Sequence, residues 1–88
     1  MNTHYIVGFT ARDAQDYAMR FKEQHRGHEV RILSVEQVGF GGLRGLSGES
    51  SEVIVLPRAW EHRKAVTLGL HIDEVERRGV RVTTAKDA

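Results

Sequence analysis

The chain has 88 residues, 40% of them hydrophobic, and its 13 Lys+Arg against 12 Asp+Glu leave a formal charge of +1. That length holds a single domain, expected over 1–88 with 86–88 as a frayed tail, and excludes an enzyme built around a cleft between two domains. The charge balance excludes a polybasic nucleic-acid arm and an acidic tail, and the lack of cysteine excludes disulfides, thiolate catalysis and cysteine-type zinc sites.

The first residues, Met1 to His4, carry no positive n-region, and the apolar stretch Tyr5–Phe9 is short for a signal peptide. No apolar run approaches the ~20 residues of a membrane-spanning helix, so a soluble protein of a reducing cytoplasm is expected. His4–Phe9 is a near-continuous run of β-branched and aromatic residues, which predicts a strand buried on both faces. Gly8 near its end permits close backbone approach. Thr10 with Asp13 three residues on resembles a capping box and opens a helix over Ala11–His25. Its stripe is Ala14, Tyr17, Ala18 and Phe21, and Gly27 closes it.

His28–Val35 alternates, with Val30 and Ile32 on one face and Arg31, Leu33 and Val35 on the other. This is a strand, and Arg31 places it near a sheet edge. Between 36 and 51 the pattern is lost. Five of the nine glycines fall between Gly39 and Gly48, which predicts a loop with at most a short helical turn. Phe40, Leu43 and Leu46 recur every third residue, so a single turn can direct all three into the sheet face opposite the first helix, with Arg44 pointing out. Glu52–Leu56 is the cleanest strand, ended by Pro57. Arg58–Arg78 is a helix with the stripe Ala65, Leu68, Ile72 and Val75, a break expected at Gly69, a restart capped by Asp73, and Gly79 as its stop. Val80–Thr84 is a last alternating strand.

Strands alternating with helices predict a parallel sheet covered on both faces. Right-handed crossovers, with the two apolar strands central and the two alternating strands outside, give the order 2-1-3-4, a minimal Rossmann-like α/β fold. In such a sheet ligands sit outside the carboxyl ends of the strands where the winding reverses. Here that point lies between strands 1 and 3, beside a helix N-terminus suited to an anion. Thr10, Arg12, Arg44 and Arg58 are the candidate ligand-binding residues, the glycine loop bringing Arg44 over the crevice.

The other chemical motifs are incomplete. Gly39–Gly45 has Arg44 where the dinucleotide fingerprint needs its third glycine, and it follows strand 2 rather than strand 1. Ser47, Ser50 and Ser51 are not framed by a nucleophile elbow. Among five histidines, His62 and His71 stand nine apart and His25 and His28 flank a helix end; no metal-ligand spacing emerges, so solvated surface histidines and no metal are expected. Arg58, His62, Arg63 and Lys64 gather beside Trp60 at the start of the second helix. Three readings stand for this cluster: a solvated face, a protein interface through Trp60, Arg63 and Lys64, and a stacking site for single-stranded nucleic acid, in that order.

The strand-helix-strand unit, then Gly42-Leu43-Arg44-Gly45-Leu46, then the apolar strand Ser51–Leu56 ending in Pro57 resembles small accessory proteins of phages that infect actinobacteria. That resemblance implies a non-enzymatic protein without a cofactor, active in the host cytoplasm, which binds a host protein and modulates or poisons the host. It carries over no catalytic residue. A homodimer is also expected, because a core this small leaves two short sheet edges open. The alternative is a small nucleotide- or phosphate-binding module using the crevice between strands 1 and 3.

Overall fold

The computed structural model describes residues 3–44, 46 and 51–85. Its sheet has four parallel strands, β1 (Thr3–Gly8), β2 (Glu29–Ser34), β3 (Ser51–Val55) and β4 (Arg81–Thr84), in the order β2-β1-β3-β4. The expected order and class are therefore the observed ones. The register lines up Ile32, Ile6 and Ile54 across three strands on one face, and Leu33, Val7 and Val55 on the other. β1 is the doubly covered strand: Ile6 and Val7 have no exposed surface. Burying each contributes about 1.5–3 kcal/mol.

On the Ile6 face lies α1 (Ala11–Arg20), which buries Ala14 and Tyr17. The Thr10 hydroxyl caps it, accepting from the Asp13 N–H at 3.1 Å. The expected helix to His25 stops at Arg20, and a 3₁₀ turn over Lys22–His25 continues it; this tighter turn delivers His25 to the sheet as a buried residue. Gly8 sits where β1 enters α1. A Cβ there would stand 2.7 Å from both the Ala14 nitrogen and the Thr10 oxygen, so glycine is required by contact.

The Val7 face carries the larger core. α2 (Val35–Gly39) is a single turn fixed by a capping box: the Gln37 N–H donates to the Ser34 hydroxyl at 3.2 Å, and the Ser34 N–H to Gln37 Oε1 at 2.8 Å. Leu43 and Leu46 are buried against the same face and Arg44 is exposed, as their spacing predicts. Phe40 departs from that expectation. It is 83% exposed, because its position just past the last helical turn swings the ring off the sheet, where Lys64 Nζ lies 5.7 Å from its centre. Gly45, Ser47, Gly48 and Ser50, and the tail 86–88, lie outside the described residues.

The expected second helix is also reshaped. Pro57–Glu61 is a 3₁₀ turn, the chain breaks at His62–Lys64, and α3 (Ala65–Arg77) runs unbroken through Gly69 and Asp73. The break falls at His62, whose backbone is extended at ψ 146°, and the Trp60 ring before it lies 3.9 Å from where a Cβ of Gly69 would stand. Leu68, Ile72 and Val75 fill the core from α3, and Gly79, at φ +87°, turns the chain into β4.

Leu43→Ala is expected to cost about 2–5 kcal/mol in denaturant unfolding, with Arg44→Ala within about 0.5 kcal/mol of the parent. Gly69→Ala should raise stability by about 0.5–1 kcal/mol, since the added methyl meets only the Trp60 ring at ordinary contact distance.

Candidate functional site

Three loops meet at the carboxyl end of the sheet. Phe9, Thr10 and Ala11 follow β1; Ser34, Glu36, Gln37 and Phe40 close the end of β2; His62 follows β3. Together they line a crevice of about 500 Å³. Its floor is aromatic: the Phe9 and His62 rings are 4.9 Å apart. The His62 ring is oriented by its own turn, Nδ1 accepting from the Lys64 N–H at 3.0 Å.

Thr10 is at this crevice, but its hydroxyl is occupied as the cap of α1. Arg12 is exposed on the first turn of α1. Arg58 lies over the Phe9 ring at 5.4 Å and pairs with Asp13 at 3.5 Å. Arg44 does not join them: it lines a separate cavity of about 460 Å³ with Leu43, His71, Glu74 and Arg78. The cations expected to form one basic cluster lie around this crevice, each on a different partner. Arg63 reaches Glu36 at 3.8 Å and Lys64 faces Phe40. Asp13 and Glu36 offset Arg58 and Arg63, so the positive charge beside the crevice is reduced to that of Arg12 and Lys64.

The chemistry that sequence spacing missed is at the opposite, amino end of the sheet. His4 on β1, His25 at the end of the 3₁₀ turn and His28 just before β2 form one cluster. His4 and His25 are only 7% and 5% exposed, against the expectation of solvated histidines. Their Nδ1 atoms are 2.8 Å apart. His28 stacks on His4 with ring centres 4.2 Å apart. Glu52, the cross-strand neighbour of His4 on β3, approaches His4 Nε2 at 3.5 Å. His4 stands 21 or more residues from the others, and His25 and His28, three apart at a helix end, match no metal or catalytic spacing, so no local motif marks the cluster. The one signal was His4 itself, second in a strand whose alternate residues must be buried. Among the described residues no three histidine or carboxylate groups converge to hold a metal.

Burial pushes both His4 and His25 below the ordinary histidine value of 6.5. The neighbouring imidazoles lower them further, and Glu52 opposes the shift.

No protein-family model, curated protein or solved structure matches this chain. Among the described residues no helix is long and apolar enough to cross a membrane.

Two outcomes follow from this site. The unfolded chain takes up protons at 6.5, while the folded chain resists them at His4 and His25. The stability from the neutral pair is therefore complete above 6.5 and is lost as pH falls toward the lowered folded-state values. Denaturant midpoints should be level above neutrality and decline below it. At the crevice, millimolar ADP or inorganic phosphate should leave the melting temperature unchanged; a rise that Arg12→Ala removes would establish an anion site there.

Proposed function

We propose that this chain is a non-enzymatic binding protein whose contact surface is the outer face of α3 with Trp60. The observation that carries this reading is the apolar surface left uncovered there. Val66 is 80% and Leu70 65% exposed, one helical turn apart, and Trp60 lies beside them at 37%. They border a groove of about 520 Å³ that runs to Val82 and Thr84 on β4, with Asp73 and Glu76 at its rim. The core of the fold uses the other side of α3, so packing within the chain does not account for these side chains. Large aromatic and aliphatic residues grouped beside an open strand suit a protein partner. Arg63 and Lys64 play a lesser part in this reading, since they turn toward Glu36 and Phe40.

The partner proposed is a host protein in the bacterial cytoplasm, the role implied by the phage-type layout of the sequence. In support of an interaction role over catalysis, neither the crevice nor the histidine cluster combines a nucleophile with a base that activates it.

Val66→Glu with Leu70→Lys tests the surface, because that pair keeps helix propensity and adds a favourable i, i+4 ion pair. The double variant should fold like the parent by circular dichroism and lose a discrete protein that the parent captures from an actinobacterial lysate. Equal capture by both would reject this face. A parent that dimerises with concentration in light scattering, and a variant that does not, would assign the face to a second copy of the chain.

A further inference from the structure

We propose that the His4–His25–His28 cluster is a proton-operated catch: with neutral imidazoles it clasps the Lys22–His28 connection to β1, and on taking up protons it releases that connection and opens the groove between α1 and β2. The geometry dictates the neutral state. A carboxylate only accepts, so Glu52 selects the Nε2–H tautomer of His4. The lone pair on His4 Nδ1 then accepts from His25 Nδ1–H across 2.8 Å. This leaves His25 Nε2 without a proton, buried, and with no hydrogen-bond partner among the described residues; His28 Nδ1 is buried without one as well.

A further proton on His25 must go to Nε2, which has no acceptor, and His28 Nδ1 is equally unpartnered. The His28 ring lies face to face with His4 at 4.2 Å and disfavours a proton on it. The surroundings accommodate little of this charge. From β3, Glu52 supplies one negative charge. From β4, Thr83 donates to Glu52 at 3.5 Å, and Arg81 is the cross-strand neighbour of Glu52. From α1, the Tyr17 ring packs 6.0 Å from His25, and Lys22 of the 3₁₀ turn lines the groove alongside His25. One carboxylate offsets a first proton, and a second then faces like charge in a buried site.

Release would be local. The backbone hydrogen bonds described for this connection close within Phe21–His28, running from Gln24 to Phe21, Arg26 to Glu23 and His28 to His25. The side chains of His25 and His28 are what join it to β1. Beside it lies a groove of about 500 Å³ lined by Ala18, Met19, Val30 and Ile32, with His25 in its wall. Detaching the turn removes that wall and exposes apolar surface along the β2 edge.

Hydrogen exchange resolved by residue, between about pH 7.5 and about pH 5, tests this. Protection over 22–34 should fall roughly tenfold more than at Ile6, Val53 and Val55, with a rise in binding of a hydrophobic dye and unchanged far-ultraviolet dichroism. His25→Phe with His28→Phe keeps ring bulk and removes both imidazoles of the connection, leaving His4 on β1 with no imidazole partner, so the excess loss over 22–34 should vanish. Glu52→Gln serves if that variant does not fold: it removes the charge that accommodates the first proton, so release should move to higher pH. Uniform loss of protection across the chain, no loss, or a release midpoint unmoved by Glu52→Gln would overturn the catch.

Discussion

The structure depends on β1 being buried from both sides. Its strand pairs in parallel with β2 and β3, so Thr3–Val7 have a strand neighbour on both sides, and alternate side chains must satisfy two separate cores. Ile6 packs under α1 while Val7 packs under α2 and α3. Because β1 cannot shift register without exchanging these faces, the ends of the strand are held in place too. At one end Gly8 touches the backbone of α1; at the other His4 is forced under the turn that follows α1.

The two ends of the sheet consequently carry different chemistry. The carboxyl end has the geometry in which this type of sheet commonly holds a ligand, yet two of its cations, Arg58 and Arg63, are paired with Asp13 and Glu36. Topology creates the crevice, and carboxylate pairing weakens its positive charge. The amino end concentrates three imidazoles and a carboxylate, with His25 in the wall of the groove between α1 and β2. Burial there makes the charge states of His4 and His25 depend on their neighbours, whereas the exposed ion pairs of the carboxyl end are softened by solvent.

Residue patterns and contacts divide the same short segments between them. Leu43 and Leu46 were legible as buried because an apolar pair at helical spacing needs a face to cover, and the connection from β2 to β3 must cross β1. Phe40 shares that spacing, but it stands at the end of α2, where the turn rotates it outward. The Ser34–Gln37 capping box was readable as Ser-x-x-Gln and was obscured by the glycines that follow it. Gly69 reads as a helix break by propensity. Packing of α3 on the sheet outweighs about 1 kcal/mol of propensity, and the chain breaks instead at His62–Lys64, where Trp60 folds back.

By itself the sequence determined the α/β class, the strand order and the inward faces, because hydrophobic period and crossover handedness are properties of consecutive residues and of the chain's chirality. It also placed Thr10 as a helix cap, a contact made within one turn. Only the tertiary structure decided that His4, His25 and His28 meet, that Arg44 parts from Arg58, and that Val66 and Leu70 remain uncovered. Those are contacts between segments brought together by sheet register and helix docking, and their energies depend on burial and neighbouring charge, which no spacing along the chain encodes.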